Sequence, residues 1–526
     1  MLIASLVNDN KFLLVEGNTD ELDQVRLSFT KKINSWFIIK KKCPNVTVDE
    51  KFMNSIGMIP VGLWVELINV CRKFNYSLSF SADFNGQVIN TEITEESFTQ
   101  FANELFSKSD ISPKDYQIAA AFNMIKYKNC CVEVSTSGGK TLISYMMFRY
   151  MKYVLGLGKI LFVTPKTNLT TQSAEKFIEY DRMNKIQTDW KYGEIHATAK
   201  KKKKESEDVD IVFGNYQSLT RKNPEFFEGF DAIILDEAHH GQNASCRNIM
   251  KKCRNVKYKI GMTGTFPPDG SYDSFVLQSY IGPVVYRLSS YELINEEKFA
   301  TPVSINMISL RYLNSIELKA LYDLRNVSKK EDPTLGNRIF NEEKNVMRDS
   351  KKRFRYIVDM ISKVTKNTLV LFSDIQGGYG RKIYNHLREN TDKRVYYIDG
   401  NIAASTRSKI IKEMENDLDE NTIIVASIPC FSEGIDIANM WNIFIVETTK
   451  SENTVAQILG RGMRRFEGKE KTVVIDFIDD YRYGSGPFEK NYLYKHGMSR
   501  YDIYSKRGFP CVIAEVDLTW IQNKLI

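Results

Sequence analysis

The sequence predicts an α/β protein with two tandem parallel-sheet domains behind a small α+β domain. Short apolar runs alternate with longer helical patterns from Pro113 onward, as a parallel sheet with crossover helices requires. The alternation restarts after about residue 300, which indicates a second, similar domain. With 526 residues, the chain also exceeds the length at which one hydrophobic core keeps growing.

The α+β domain is predicted at residues 1–95. Its clearest element is a helix from Gly62 to Phe74, which follows Pro60. Apolar residues recur on one face of that helix, at positions 63, 67, 70, 71 and 74. Such a stripe is typical of a helix that packs on a core, so we interpret it as structural rather than as a binding site.

The first parallel-sheet domain is predicted at residues 96–300 and the second at residues 301–480, followed by a C-terminal extension at residues 481–526. Almost wholly apolar runs predict strands that helices cover on both faces. In the first domain these runs are Cys131–Val134, Ile160–Thr164, Ile211–Gly214 and Ala232–Leu235. In the second domain they are Thr368–Phe372, Val395–Ile398, Thr422–Val425, Ile443–Val446 and Val473–Phe477.

The composition is that of a globular protein with a mild basic bias. Lys and Arg outnumber Asp and Glu by 73 to 65, which gives a net charge of +8. This charge favours a polyanionic partner, although an ordinary solvated surface explains it equally well. Eight cysteines without a CxxC pair and only five histidines argue against a disulfide framework and a multi-histidine metal site. Because no signal peptide or transmembrane run is evident, we expect a cytoplasmic protein without a membrane partner.

A phosphate-binding loop is predicted directly after the strand that ends at Val134. The next seven residues read Ser-Thr-Ser-Gly-Gly-Lys-Thr, and a helical pattern follows from Leu142 to Tyr150. Small residues let backbone N–H groups approach phosphates, and the helix N-terminus favours their negative charge. The first glycine of the general pattern is missing, because Val134 stands six positions before the lysine. The candidate nucleotide-binding residues are Thr136, Ser137, Gly138, Gly139, Lys140 and Thr141.

The second candidate element is the tetrad Asp236-Glu237-Ala238-His239, which follows the apolar run Ala232–Leu235. Aspartate at the carboxyl end of a strand can hold magnesium together with the Thr141 hydroxyl, while Lys140 reaches the β- and γ-phosphates. The adjacent Glu237 can orient or deprotonate the attacking water. An acidic helix cap is the structural alternative, but it does not explain the four hydrophobic residues that lead into the tetrad.

With these two elements in order, the chain resembles the superfamily 2 helicases, whose ATP site lies between two RecA-like domains. The resemblance covers about residues 113–480 and implies roles for further residues. Gln117 matches a glutamine that reads the adenine edge of ATP. Nucleic-acid contact, or its coupling to hydrolysis, is implied for Pro165, Lys166, Thr167, Gln217, His239, Thr263, Thr265 and Ser373.

Two motifs of the second domain extend this resemblance. The run from Ser432 to Asp436 implies nucleotide contacts by Gly434 and Asp436. A later run fits the pattern QxxGRxxR and makes catalytic candidates of Gln457, Arg461 and Arg464. Independently of the family, two arginines three positions apart fall on one helix face, from which they can neutralise charge that develops on the γ-phosphate.

Within the superfamily, the whole chain is similar to the UvsW family of bacteriophage recombination helicases. The shared features are Thr136-Ser137-Gly138-Gly139, the segment Met58–Leu63 before a helix, and the segment Tyr492–Gly497. Two features of that family are replaced or missing. DEAH stands in place of a DECH-like tetrad, and residues 46–56 contain no Trp-Asp-Gly element. We therefore interpret residues 1–95 as an accessory domain for which DNA binding is one interpretation.

The resemblance implies an ATP- and magnesium-dependent DNA helicase or translocase that remodels branched DNA in recombination, repair and replication. It further implies a monomer in the host cytoplasm whose substrates are forks, Holliday junctions and R-loops, and so partly single-stranded DNA and RNA–DNA hybrids. An RNA helicase is the main alternative, because its ATP machinery would look the same. A non-hydrolysing nucleic-acid-binding scaffold is a second alternative. A restriction-type translocase is a third, although no acidic nuclease cluster is evident in the sequence.

Two basic segments have more than one interpretation. Acidic residues follow Lys200–Lys204, so a solvated loop is favoured there over a DNA-binding stripe. Aromatic and basic residues alternate between Tyr481 and Arg507. That mixture fits either stacking on unpaired bases or packing against the second parallel-sheet domain.

Overall fold

The computed structural model confirms the predicted α/β architecture. It describes residues 1–9, 11–34, 36, 39–40, 43, 45–197, 209–253, 256–296, 298–312, 318–325, 334–417, 421–432, 437–447, 449, 451–482 and 491–518. The chain forms two compact units, Met1–Leu288 and Ser289–Ile526. Two of the predicted features, the run Lys200–Lys204 and the residues Gly434 and Asp436, lie outside the described residues.

A small mixed sheet forms the N-terminal part of the first unit. Its strands, in the order β5-β2-β1-β6, are β1 (Leu2–Val7), β2 (Phe12–Glu16), β5 (Met58–Pro60) and β6 (Leu78–Phe80). β2 pairs antiparallel with both β1 and β5, and β1 pairs in parallel with β6. A separate antiparallel pair consists of β3 (Thr30–Lys32) and β4 (Asp49–Lys51). The helices of this part are Thr19–Ser28, Trp64–Lys73, Phe84–Val88 and Glu95–Leu105.

The N-terminal sheet shares a hydrophobic core with the helix Tyr272–Tyr280 of the following domain. The rings of Phe29 and Phe52 each lie 5.4 Å from the ring of Phe275. The chain also approaches this helix closely at Gly62, where a Cβ atom would stand 2.0 Å from the carbonyl oxygen of Gln278. The N-terminal part therefore packs directly on the first parallel-sheet domain.

The rest of the first unit is a seven-stranded parallel sheet in the order β13-β7-β12-β11-β8-β10-β9. Its strands are β7 (Asn129–Val134), β8 (Ile160–Thr164), β9 (Tyr192–Ile195), β10 (Ile211–Asn215), β11 (Ala232–Leu235), β12 (Tyr258–Thr263) and β13 (Val284–Leu288). β8, β10 and β11 are buried along their whole length, as their apolar sequences predict. Because all strands run in one direction, their carboxyl ends share one edge of the sheet. The helices are Asp115–Lys126, Lys140–Tyr153, Thr167–Met183, Tyr216–Leu219, Pro224–Glu228, Ala244–Lys252 and Tyr272–Tyr280.

The second unit contains another seven-stranded parallel sheet, in the order β16-β17-β15-β18-β19-β14-β20. Its strands are β14 (Val303–Arg311), β15 (Thr368–Phe372), β16 (Arg394–Ile398), β17 (Thr422–Ser427), β18 (Asn442–Ile445), β19 (Thr472–Asp480) and β20 (Cys511–Asp517). The helices are Ser290–Asn295, Lys319–Arg325, Leu335–Asp349, Lys351–Lys363, Tyr379–Asn390, Ala404–Glu415, Ile428–Ser432, Glu452–Gly462 and Tyr492–Lys506.

The residues after Asp480 contribute to this second sheet. β20 pairs in parallel with β14 at the edge of the sheet, and the helix Tyr492–Lys506 precedes it. Tyr481 is fully buried, and its hydroxyl donates a hydrogen bond to the Glu343 carbonyl oxygen. This favours the packing interpretation for Tyr481 over the stacking of bases. Among the described helices of the chain, none is long and apolar enough to cross a membrane.

Candidate functional site

The loop after β7 has the backbone geometry of a phosphate-binding loop. Gly139 has φ +79° and directly precedes the helix Lys140–Tyr153. Ser137 also has a positive φ, of 75°, although an L residue rarely adopts it. Two residues of this five-residue loop therefore have left-handed backbone conformations. The N-terminal N–H groups of that helix have no partners within it, which makes this loop suited to a phosphate.

Gln117 supports this loop from the helix Asp115–Lys126. Its side-chain Nε2 donates to the Gly138 carbonyl oxygen at 3.1 Å, and its Oε1 accepts from the backbone N–H of Lys114 at 2.9 Å. The contact is tight, because a Cβ at position 139 would lie 2.2 Å from Nε2. Each amide atom can still make one further hydrogen bond. The predicted contact of Gln117 with adenine is therefore compatible with its support of the loop.

Lys140 and the DEAH tetrad meet at the carboxyl edge of the first parallel sheet. The Lys140 Nζ atom lies 3.8 Å from Glu237 Oε1. Asp236 follows β11, and its Oδ1 accepts from the backbone N–H of Glu237 at 3.0 Å. Glu237 itself has φ +50°, a strained conformation for a glutamate. The loop lysine and the catalytic glutamate candidate thus lie side by side.

The two acidic residues of the tetrad differ in their pKa. Burial, and next the charge of Glu237, raise the pKa of Asp236 to about 6. Burial acts in the same direction on Glu237, but Lys140 and a hydrogen bond from His239 lower its pKa to about 2. Glu237 is therefore an ionised carboxylate at neutral pH, which can accept a hydrogen bond from an attacking water.

The residues predicted to hold magnesium fit that ion. The Asp236 carboxylate and the Thr141 hydroxyl are hard oxygen donors, which magnesium prefers. Asp236 also stands beside the Glu237 carboxylate, so a divalent cation would offset the repulsion between them.

His239 connects the tetrad to the Thr263-Gly264-Thr265 turn after β12. Its Nδ1 lies 2.9 Å from Thr263 Oγ1 and 3.4 Å from Glu237 Oε2. The Thr263 hydroxyl donates its one proton to the Thr265 carbonyl oxygen at 3.0 Å. In the contact between His239 and Thr263, the histidine Nδ1 is therefore the donor. The Thr263 oxygen also accepts from the backbone N–H of Thr265 at 3.1 Å. These contacts form a continuous path from Glu237 to the turn.

Sequence reasoning missed one residue that holds the end of this turn. Glu133 is the one charged residue of β7, and its Oε1 accepts from the backbone N–H of Phe266 at 3.0 Å. Its other oxygen lies 3.7 Å from Arg287 Nε. An acidic residue within an otherwise apolar strand was the available signal.

The predicted nucleic-acid contacts of the first unit lie at the carboxyl ends of β8 and β10. Pro165, Lys166 and Thr167 are half-buried where the helix Thr167–Met183 begins. The Asn215 side chain donates to Thr167 Oγ1 at 2.8 Å and thereby joins the two loops. Gln217 is exposed in the next short helix. The structure brings these four predicted residues to neighbouring strand ends.

In the second unit, Ser373 follows β15 and is held by a residue that sequence reasoning missed. The buried Glu447 carboxylate accepts from the backbone N–H groups of Ser373 and Asp374, each at 2.8 Å. Arg348 Nε donates to the other oxygen of Glu447 at 3.2 Å. Glu447 follows β18, directly beside β15, but no local pattern in the sequence marks it.

The catalytic candidates of the second unit lie at the end of the helix Glu452–Gly462. Gln457 and Arg461 are half-buried within it, and the Arg461 guanidinium lies 4.9 Å from the centre of the Phe431 ring. The helix ends at Gly462, and Arg464 lies two residues beyond it, where its backbone N–H donates to the Arg461 carbonyl oxygen at 3.2 Å. The Gly462 carbonyl oxygen accepts hydrogen bonds from the side chains of Lys469 and Thr472.

Comparison with family models gives two matches. Residues 110–268 match the model described as type III restriction enzyme, res subunit. Residues 352–466 match the helicase conserved C-terminal domain. The first segment contains the loop at Lys140 and the DEAH tetrad, and the second contains Arg461 and Arg464.

Known proteins provide further similarity. The chain is 27% identical over 475 residues to the ATP-dependent DNA helicase uvsW of Enterobacteria phage T4, covering 88% of each chain. It is 25% identical over 388 residues to the putative ATP-dependent helicase IRC3 of Saccharomyces cerevisiae, covering 69% of this chain and 51% of that one. A fragment of a putative HsdR subunit of a type I restriction enzyme from Vibrio vulnificus has a similar fold, with a TM-score of 0.54 and 18% identity over 79% of this chain and 71% of that one.

Proposed function

The chain belongs to the superfamily 2 helicases, and from this premise we propose that it is an ATP-driven DNA helicase or translocase that remodels branched DNA. The observation that carries the proposal is the path of contacts from Lys140 through Glu237 and His239 to Thr263. It joins the candidate hydrolytic residues to a turn at the same sheet edge as the candidate nucleic-acid contacts.

The proposal gives each group of residues a part in ATP hydrolysis. Adenine is assigned to Gln117, and the phosphates to the loop 136–140. Asp236 and Thr141 would hold magnesium, which supplies charge neutralisation on the phosphate oxygens when bound. The Glu237 carboxylate positions the attacking water and accepts its proton.

The motifs of the second unit complete the assignment. Arg461 and Arg464 are assigned to the charge that develops on the γ-phosphate, and Gln457 to the same motif. Gly434 and Asp436 are assigned to nucleotide contacts from their sequence motif alone.

Contacts with nucleic acid are assigned to residues at the carboxyl ends of strands in both units. The residues concerned are Pro165, Lys166, Thr167, Gln217 and Ser373. His239, Thr263 and Thr265 are assigned to coupling this contact to hydrolysis. DNA is favoured over RNA because the relative with 88% coverage is described as a DNA helicase. Forks, Holliday junctions and R-loops are proposed as substrates, and a monomer as the active form, from the resemblance to the UvsW family.

Steady-state ATP hydrolysis with different nucleic acids tests the proposal. We would compare no nucleic acid, single-stranded DNA, a forked duplex, an R-loop and structured RNA at fixed magnesium and salt. The expected result is the strongest stimulation by the forked duplex or R-loop. If RNA alone stimulates hydrolysis, the substrate is RNA instead of DNA. If no ATP is hydrolysed under any of these conditions, a non-hydrolysing scaffold is favoured.

Two variants test the assigned residues. Lys140→Ala should abolish hydrolysis but leave much DNA binding, because the backbone contacts lie elsewhere. Glu237→Gln should lower kcat by about 100-fold or more, because it removes the proton acceptor. Glu225→Gln, on the exposed face of the helix Pro224–Glu228, is the matched control and should match the wild type. Normal turnover by Lys140→Ala would remove the phosphate-loop assignment.

A further inference from the structure

A buried lysine holds the backbone where the helix Glu452–Gly462 ends. Lys469 is 8% exposed, and its Nζ donates to the carbonyl oxygens of Gly462 and Arg464, each at 3.0 Å. A third bond, at 3.2 Å, goes to the carbonyl oxygen of Ala438. One side chain thus joins the segment after the motif 432–436 to the end of the arginine motif.

Two threonines complete this arrangement around Arg464. The Thr472 hydroxyl donates to the Gly462 carbonyl oxygen at 2.7 Å. Thr301 donates twice, from its hydroxyl to the Arg464 carbonyl oxygen at 3.0 Å and from its backbone N–H to the Met463 carbonyl oxygen at 2.8 Å. Three successive carbonyl groups, at positions 462, 463 and 464, therefore have donors from outside the helix.

The use of a lysine at this buried position has an energetic cost. Desolvation disfavours a buried ammonium, and an apolar side chain of similar length would fill the space without that cost. What the ammonium adds is three directed N–H donors at a single point. Those donors fix the carbonyl groups of the backbone that carries Arg464, while its N–H donates to the Arg461 carbonyl oxygen at 3.2 Å.

We propose that Lys469 is a positioning residue for ATP hydrolysis, which holds Arg464 in the orientation that hydrolysis requires. This inference rests on the proposed function, in which both arginines act on the γ-phosphate. Lys469 has no contact with substrate in this role. It acts through the backbone of the arginine motif, so its loss should slow turnover rather than weaken ATP binding.

Substitution of Lys469 tests the inference. Lys469→Met keeps the length of the side chain but removes all three donors. With saturating DNA, kcat should fall by about tenfold or more, while KM for ATP stays within about threefold. Lys469→Arg, which keeps charge and donors, should recover part of the loss. Lys471→Met removes an exposed lysine two positions away and should match the wild type. Circular dichroism and thermal unfolding establish that each variant is folded.

A double-mutant cycle with Arg464→Ala separates positioning from general destabilisation. If Lys469 acts through Arg464, Lys469→Met should lower kcat by less than about threefold in the Arg464→Ala background. Full additivity would overturn the inference. Should Lys469→Met fail to fold, Thr301→Val removes one donor to the same Arg464 carbonyl and should give a smaller loss of kcat, which the Arg464→Ala background again abolishes.

The outcomes also separate this inference from the proposed function. A slow Arg464→Ala together with a normal Lys469→Met overturns the positioning role alone. A normal kcat for Arg464→Ala overturns the arginine assignment and, with it, the role of Lys469.

Discussion

The imidazole Nδ1 of His239 lies 2.9 Å from the hydroxyl oxygen of Thr263. His239 lies after β11, and Thr263 is the last residue of the neighbouring strand β12, so this contact joins the carboxyl ends of two adjacent strands. His239 also contacts Glu237, and two hydrogen bonds join Thr263 to Thr265. A displacement of the turn after β12 therefore acts on the glutamate assigned to hydrolysis.

Removal of the Thr263 hydroxyl should uncouple strand separation from ATP hydrolysis. Thr263→Val keeps the branched shape but leaves the Thr265 N–H without its acceptor and the His239 N–H with Glu237 Oε2 alone. We expect DNA-stimulated ATP turnover to fall by about threefold and the rate of strand separation by about tenfold or more. Both rates are measured on one forked duplex, by phosphate release and by release of a labelled strand.

The control for this prediction removes a comparable hydroxyl elsewhere in the same unit. Thr220 Oγ1 donates to the Ser245 carbonyl oxygen at 3.0 Å, away from the tetrad. Thr220→Val should leave both rates unchanged. Equal losses of both rates in Thr263→Val would contradict a coupling role.

The parts of the site that could be predicted from sequence are those with local patterns. The loop at Lys140 and the DEAH tetrad each follow an apolar strand, so their position at the carboxyl edge of a parallel sheet followed directly. Glu133 and Glu447 could not be found this way, because their partners Phe266 and Ser373 are distant in sequence. Each glutamate is a single acidic residue whose role depends on the order of strands in the sheet.

The fold shows the same limit. Strands with wholly apolar sequences were predicted, since burial on both faces leaves a continuous signal. β20 was not, because it is an edge strand whose residues are largely exposed. The end of the helix before Arg464 also escaped prediction. The carbonyl groups at this end accept hydrogen bonds from Lys469, Thr472 and Thr301, which approach from other segments.

Gly139 should be essential for nucleotide binding because two constraints meet there. Its φ of +79° is unfavourable for any L side chain, and an added Cβ would lie 2.2 Å from Gln117 Nε2. Gly139→Ala should therefore displace the loop, and we expect the Kd of ATP to rise by about tenfold or more. Titration with a fluorescent ATP analogue measures this affinity.

Gly156 provides the matched control, because it has φ +64° but open space around its Cβ position. Gly156→Ala should cost about 1 kcal/mol of stability from backbone strain alone. Its ATP affinity should equal that of the wild type. An unchanged affinity in Gly139→Ala would show that the loop tolerates the alanine and that the close contact with Gln117 is not required.

Glu447 should support nucleic-acid binding through the loop after β15. Glu447→Gln keeps the shape of the side chain but replaces one carboxylate oxygen with an NH₂ group and removes the charge that Arg348 contacts. We expect the loop at Ser373 to shift and the Kd for single-stranded DNA to rise by about fivefold. The KM for ATP should stay unchanged. Fluorescence anisotropy with a labelled oligonucleotide measures the first quantity, and the exposed Glu467→Gln is the control. A DNA affinity equal to that of the control would rule out this supporting role.

The contribution of Lys469 to turnover should depend on pH. Burial, and then the nearby charge of Arg464, lower the pKa of Lys469 from 10.5 to about 7. Among its described neighbours, Arg464 is the charged group; the hydrogen-bond partners of the Lys469 Nζ are carbonyl oxygens, which do not titrate in this range. Below pH 7 the ammonium donates three hydrogen bonds, and as the pH rises through 7 the neutral amine donates only two.

The sign of the effect follows from this loss of one donor. The ratio of kcat between the wild type and Lys469→Met should be largest near pH 6 and should decline toward pH 9. Taking the ratio cancels the titration of groups that both proteins share, including those of the DEAH tetrad. Steady-state turnover at saturating ATP and DNA, measured across that range, gives the ratio directly. Lys469→Arg should show no such decline, because a guanidinium remains charged throughout. A ratio that is constant from pH 6 to pH 9 would mean that the third hydrogen bond has no part in holding Arg464.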